Sequence, residues 1–189
     1  MLFRSKQLDI YRERLAKLFA PKTIQYLYVP DEEALTALRD QYIKDFINGG
    51  LIKQLAFISS RDTGILDYLS VRNNLCINGH TKHTDFLPEW LANTSPVLDQ
   101  PAATLNTLQR IYLRFYRGLM GKKRYLLLSG HAEIFDPQVT REFLTEANHA
   151  LQQTESCLLV LTTDQSLLSA NPQNAWQQPP VLSLHAVTK

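Results

Sequence analysis

Three short runs carry residue types that do chemistry. His80, His83 and Asp85 are spaced as HxxHxD, a nitrogen and oxygen donor set of the kind that holds zinc. No cysteine stands beside them and no second spaced cluster completes four ligands, so loop histidines with no metal are the expectation. Ser129-Gly130-His131 sets a hydroxyl next to an imidazole, as a nucleophile and its base would stand. The GxSxG elbow is absent, however, and no acid is placed to orient the histidine. Asp31-Glu32-Glu33 concentrates three carboxylates at a predicted helix start, where they suit the positive end of the helix dipole and repel a phosphate. A glycine-rich GxxxxGK(S/T) loop, which would cradle a nucleotide's phosphates, occurs nowhere in the chain.

The elements that must position these residues follow from pattern. The chain has 189 residues, 44% apolar and 20% charged, with a net charge of +2. That is a globular composition, without the charge excess that nucleic acid or an anionic membrane surface would call for. Two cysteines, Cys76 and Cys157, form no CxxC pair, which fits a reducing compartment. The first eight residues carry charges where a secretory signal needs an apolar core, and no apolar run reaches a membrane span. The expectation is a cytoplasmic protein that works at a membrane only by docking on another component, as a peripheral protein at its inner face.

Residues 1–23 read as an amphipathic helix with Leu8, Tyr11, Leu15 and Leu18 on one stripe. Ile24–Val29 is a buried strand, ended by Pro30, and Asp31 caps a helix whose stripe is Leu35, Leu38, Tyr42 and Phe46. Gln54–Ser59 is a second strand, and a short helix crosses Tyr68–Ile77. Residues 78–104, with Pro88, Pro96 and Pro101, form a small excursion from the core. Asn106 to Met120 is an amphipathic helix with Arg110, Arg114 and Arg117 on one side; Arg124–Leu128 and Cys157–Leu161 are further buried strands. Asp136-Pro137 starts the helix between them. Residues 1–170 make one domain, and 171–189, rich in proline and glutamine, a flexible tail. Alternating strands and helices predict an α/β fold with a mostly parallel sheet, whose chemistry sits at the carboxyl ends of the strands.

Residues 54–165 resemble the nucleotide-binding domain of ABC-transporter ATPases. Leu105-Asn106-Thr107-Leu108-Gln109 stands where the LSGGQ signature would be, Arg117 and Leu119 match the helix that follows, and Leu126-Leu127-Leu128 matches the Walker B strand. Asp136 matches the D-loop aspartate. Tyr68–Leu75 is similar to the "LTVxENL" element after the Q-loop, and Leu159–Asp164 to the strand entering the H-loop. The spacings from Leu105 to Ser129 and from Ser129 to Thr163 are close to those of the family.

The resemblance implies a P-loop-NTPase-like sheet with flanking helices and a reduced helical subdomain. It also shows what the chemistry positions hold. Tyr28–Leu35, where the P-loop belongs, contains Asp31-Glu32-Glu33 and no glycine. The two Walker B acids are replaced by Ser129 and Gly130, the H-loop histidine by Thr163, and the Q-loop glutamine falls at Ser60 or Arg61. Leu108 replaces a signature glycine that lets the helix approach a phosphate. The implied protein is a catalytically silent ABC-ATPase-like partner of a permease or of an active ATPase subunit, in a homo- or heterodimer, with no ATP cofactor and no nucleic acid. Two alternatives stand beside it. One is an ATP-binding subunit with weak, non-standard nucleotide binding in which Lys22 or Lys44 reaches the phosphate; the other is a free-standing interaction module. The signature-helix arginines form a solvated face or, alternatively, a partner contact. Tyr112, Phe115 and Tyr116 pack on the sheet, and Trp90 is a partner contact or part of the local core.

Overall fold

Ile24–Tyr28 (β1), Leu55–Ser59 (β2), Tyr125–Ser129 (β3), Cys157–Thr162 (β4) and Ala175–Trp176 (β5) form one sheet in the order β2-β3-β4-β1-β5, with every pairing parallel. The computed structural model describes residues 2–59, 64–77, 79, 84–92, 94–129 and 137–183. The two central strands, β3 and β4, are buried along their whole length, as expected of a parallel sheet covered on both faces.

Strand alternation sorts the core into two layers. Ile24, Tyr26, Ile58, Leu126, Leu128, Leu158 and Val160 point to one face, where Val71–Cys76 (α3), Thr107–Met120 (α4), Pro137–Gln152 (α5) and Gln165–Ala170 (α6) cover them. Leu27, Tyr125, Leu127, Leu159 and Leu161 point to the other, under Leu2–Leu18 (α1) and Glu32–Asn48 (α2). The strand order accounts for this division. The chain moves one way across the sheet from β1 to β2 and the opposite way from β2 through β5, so crossovers of one hand must place α2 opposite α3 to α6.

Local chemistry sets the helix ends. Ser70 accepts the Asn73 N–H at 3.2 Å and starts α3 at Val71, later than the expected Tyr68. Asn106 and Gln109 form a reciprocal capping box at α4, at 2.9 and 3.0 Å, worth about 0.5–2 kcal/mol. Gly118 lets α4 sit close on the sheet, since a Cβ there would lie 2.9 Å from Leu126 Cδ2 and 3.1 Å from Ala56 Cβ. Among the described residues of the 78–104 excursion there are three short 3-10 turns, and Leu91, Leu98 and Ala102 bury into the same layer as α3 and α4.

The tail reading requires correction. Residues 171–183 are packed: β5 pairs with Tyr26 and Leu27, the Trp176 indole donates to Gln25 Oε1 at 3.1 Å, and Leu182 is 1% exposed. Tyr42 Oη donates to the Pro180 carbonyl at 2.8 Å and Arg14 to that of Val181 at 3.0 Å, which draws the segment over α1 and α2. One tryptophan and one leucine anchor a stretch whose composition is otherwise that of a loose tail. Residues 184–189 lie outside the described residues.

In the α1–α2 layer, Tyr11, Leu15 and Phe19 are fully buried. Tyr11 lies across Gly49, the C-cap of α2, and donates to the Asp45 carbonyl at 3.2 Å. Asp45 is itself buried; Gln41 donates to its Oδ1 at 3.1 Å, and its Oδ2 has no hydrogen-bond partner among the described residues. Burial raises the Asp45 pKa above the ordinary carboxylate range, and the Gln41 hydrogen bond opposes that rise.

Candidate functional site

β1 and β4 are neighbours in the sheet, yet the helices that follow them, α2 and α6, leave to opposite faces. Their carboxyl ends therefore flank the topological switch point, where open α/β sheets place ligands. The β1 side is tightly built. Val29 extends the ladder by donating its N–H to the Thr162 carbonyl at 2.9 Å, and Val29-Pro30-Asp31 is the whole link to α2. Asp31 is the N-cap: its Oδ1 accepts the Ala34 N–H at 2.8 Å and its carbonyl accepts that of Leu35 at 2.9 Å. The expected cap is present, and a carboxylate of the chain itself occupies the positive end of α2.

On the β4 side, Thr162 Oγ1 accepts the Asp164 N–H at 3.0 Å, and Asp164 Oδ1 accepts that of Ser166 at 2.8 Å, starting α6. Thr163 is half-buried between them. Gln165 Nε2 donates to Tyr28 Oη at 3.2 Å and bridges the two strand ends. At the end of β3, Ser129 is 2% exposed, and its hydroxyl has no hydrogen-bond partner among the described residues. A neutral hydroxyl supplies no charge to a divalent cation and no base to a water. Gly130, His131, Asp136, Ser60, Arg61, His80 and His83 lie outside the described residues, and among those described no group of three metal-ligating side chains occurs.

Lys22 and Lys44 are not brought to this edge. Lys22 precedes β1, at the opposite end of the strand, roughly 20 Å away at 3.3 Å per residue, and its Nζ lies 3.6 Å from Glu155. Lys44 is in the fourth turn of α2, about 18 Å from the helix start at 1.5 Å per residue.

The segment Leu105–Gln109 opens α4. Leu105 is buried, Leu108 packs against the core, Thr107 is exposed, and the polar atoms of Asn106 and Gln109 are spent on each other's backbone in the capping box. Of the arginines of α4, one departs from the expected solvated face, and all three bind chain segments beyond the helix. Arg114 is 4% exposed and donates to the Ser59 carbonyl at the end of β2. Arg117 donates to the Gly64 carbonyl at 2.6 Å, and Arg110 to Asp67 at 2.7 Å and to the carbonyls of Leu105 and Ala102 at 3.1 and 3.2 Å. These cations secure the chain between β2 and α3 to the helix. Arg114 is thus no part of a solvated face, whereas Arg110 and Arg117 stay half-exposed while their guanidinium groups hold these carbonyls.

Asn74, which carries no motif, does related work: fully buried, it accepts the Leu66 N–H at 2.8 Å and donates to the carbonyls of Leu66 and Ser70 at 2.9 and 3.1 Å. Tyr112, Phe115 and Tyr116 are buried against the sheet layer as expected. Trp90 is half-buried, edge-on to Tyr112 with ring centroids 6.2 Å apart, and so belongs in part to the local core.

No protein-family model matches the chain, and no curated protein sequence is significantly similar to it. Solved structures do match. A putative ABC transporter ATP-binding protein from Pyrococcus furiosus superposes with a TM-score of 0.59 at 8% identity, over 78% of this chain and 81% of its own. This protein has the fold of ABC-transporter ATP-binding subunits. CbiO1 of Clostridium perfringens, part of the ABC transporter complex CbiONQ, gives 0.55 at 11% identity over 76% and 68%. A putative metal-chelate type ABC transporter in an inward-facing conformation gives 0.57 at 13% identity over 79% and 66%. At such identities the likeness is one of fold. No helix among the described residues is long and apolar enough to cross a membrane.

Proposed function

We propose that this protein is a catalytically silent ABC-ATPase-like subunit that acts by contact with a component of an ABC transporter, either its permease or an active ATPase subunit. The observation that carries the reading is the β1–α2 link. Three residues without glycine join strand to helix, and Asp31 already accepts the N–H that a phosphate would need. A triphosphate brought to this helix would meet Asp31, Glu32 and Glu33, and no lysine stands within reach among the described residues. The donor set does not fit a magnesium–nucleotide group. Ser129 and Thr163, at the positions of acid and histidine in the family resemblance, agree with this, as does Leu108 in the signature. ABC ATP-binding subunits work inside transporter assemblies, and a fold kept without its phosphate loop is suited to contact alone.

Titration calorimetry of the purified protein with Mg-ATP is the test. No binding heat is expected up to millimolar nucleotide. Micromolar, magnesium-dependent affinity overturns the proposal.

A further inference from the structure

At the amino ends of the strands, opposite the switch point, a groove of about 570 Å³ opens between the turn that enters β3 and the turn that enters β4, a size that suits a small-molecule ligand. Tight returns of the chain build it. After α4 the backbone doubles back through Lys122, whose φ of 51° is a left-handed conformation that favours glycine, and Lys123 donates its N–H to the Gly118 carbonyl at 3.0 Å. Before β1, Lys22 is left-handed too, with φ 64°, and donates its N–H to the Ser156 carbonyl at 2.7 Å, which ties the entry of β1 to that of β4. Phe86 and Leu119, both buried, and Pro21 supply the apolar surface. The five residues of β3 and six of β4 put about 17–20 Å between this groove and the carboxyl edge of the sheet.

Lys122, Lys123 and Arg124 bring three cations to the groove in succession. The Lys123 ammonium is spent on the Lys53 carbonyl at 2.7 Å, whereas the side chains of Lys122 and Arg124 make no hydrogen bond or ion pair among the described residues. Arg124 is the anomaly. The α4 arginines and Arg12, Arg14, Arg39 and Arg72 all reach an aspartate or a backbone carbonyl. Arg124 is half-buried, its guanidinium lies 5.8 Å from the centre of the Tyr125 ring, and its Nε is closed off from water with no partner. The enclosed Nε and the ring contact hold the guanidinium in place, and its outer N–H groups are left unbonded, a fork already set for an anion. Opposing charge is weaker. Glu155 is the one carboxylate among the described residues that line the groove; its side chain is 83% exposed and stands 3.6 Å from Lys22, and the carboxyl ends of α4 and α5 add about half a charge each. A planar carboxylate takes two parallel N–H bonds from a guanidinium, Glu155 at the rim repels a second negative charge, and Phe86 and Leu119 call for a hydrocarbon to cover them.

We infer that the groove at the amino end of the sheet binds a small monocarboxylate with an apolar body, Arg124 holding the carboxylate, Lys122 adding its charge from the rim, and Phe86 and Leu119 packing on the hydrocarbon. The site stands whether or not the switch point binds nucleotide, because a full strand length separates the two.

Saturation-transfer NMR titrations on the full chain test this with 3-phenylpropanoate and octanoate, beside 3-phenylpropanol, which lacks the charge, and inorganic phosphate, which lacks the body. Transfer to both carboxylates is expected, with 3-phenylpropanoate binding about tenfold more tightly than its alcohol. Arg124→Gln should weaken carboxylate binding about tenfold and Lys122→Gln, at an exposed position, about threefold, with the thermal transition of the free protein retained. If Arg124→Gln does not fold, Lys122→Gln decides alone. Absence of transfer to both carboxylates up to about ten millimolar overturns the assignment. So does an alcohol that binds as tightly as the acid, phosphate that binds more tightly than either carboxylate, or affinity unchanged in the folded variants.

Discussion

Gly49→Ala isolates the contact that docks the N-terminal helix. The backbone at Gly49 has φ −76° and ψ −2°, which alanine adopts freely, so the substitution carries no conformational penalty. By restricting the unfolded chain it would gain about 0.4–1 kcal/mol if space were available. Space is not available: the new Cβ would overlap Cε1 of Tyr11 and lie 2.6 Å from its Cδ1 and 3.1 Å from its Cζ. The ring is fully buried and held by its hydroxyl at the Asp45 carbonyl, so it cannot swing aside without opening the α1–α2 interface. Overpacking of this kind costs about 1–3 kcal/mol, and displacement of the ring puts this site at the upper end. With the entropic gain subtracted, the net loss is about 2 kcal/mol, a fall of roughly 1 M in the urea midpoint for a slope near 2 kcal/mol/M. In a Tyr11→Ala background the ring is gone and Gly49→Ala should be neutral or slightly stabilising, so the double-mutant cycle should show about 2 kcal/mol of coupling. Equal costs in the two backgrounds, or a Gly49→Ala midpoint unchanged from wild type, would refute docking of α1 through this contact.

Asp45→Asn should raise stability at pH 7 by about 1 kcal/mol by removing a buried charge with an unpaired oxygen. Because the folded state raises the Asp45 pKa, the wild type gains stability as the pH falls through that pKa, and the advantage of the variant should close below about pH 4 in denaturation curves taken across pH. Arg114→Met should cost about 2–3 kcal/mol in the same assay through loss of a buried charge-assisted bond to Ser59, against less than about 1 kcal/mol for the more exposed Arg117→Met. A disulfide-exchange reagent at neutral pH should titrate one thiol per native chain, the exposed Cys76. Burial pushes the Cys157 thiol up to about 12, so it should react only when the chain unfolds.

Much of this fold was legible in sequence because parallel strands buried on both faces advertise themselves. The runs at 24–29, 54–59, 124–128 and 157–161 each became a strand within a residue or two, and Asp31 became the cap that its position before two glutamates implied. Arg110, Arg114 and Arg117 were not legible, because their spacing along α4 is that of a solvated stripe whatever covers it. The carbonyls that Arg114 and Arg117 bind, at Ser59 and Gly64, lie more than fifty residues away. Composition likewise hid the packing of 171–183, since average content weighs six glutamines and prolines above the single side chains Trp176 and Leu182 that fill a space. At the switch point, motif order located the strand ends. What could not be seen was that the capping residues Asp31, Asn106 and Asp164 already spend their polar atoms on their own helices.

The strand order also constrains how the chain can be made. Ile24 has Leu158 as its ladder partner, so β1 waits for β4 after leaving the ribosome, on the order of ten seconds at ordinary rates of synthesis. Until β3 and β4 emerge, α1 and α2 have no sheet face to cover, and Tyr11, Leu27 and Phe46 stay without their layer. The nascent protein can complete β2 with β3, and α3 with α4, before β1 has any place to go. Although β1 precedes β2 and β3 in the chain, it is thus secured after them, and α1, β1 and α2 are where a chaperone would be needed during translation.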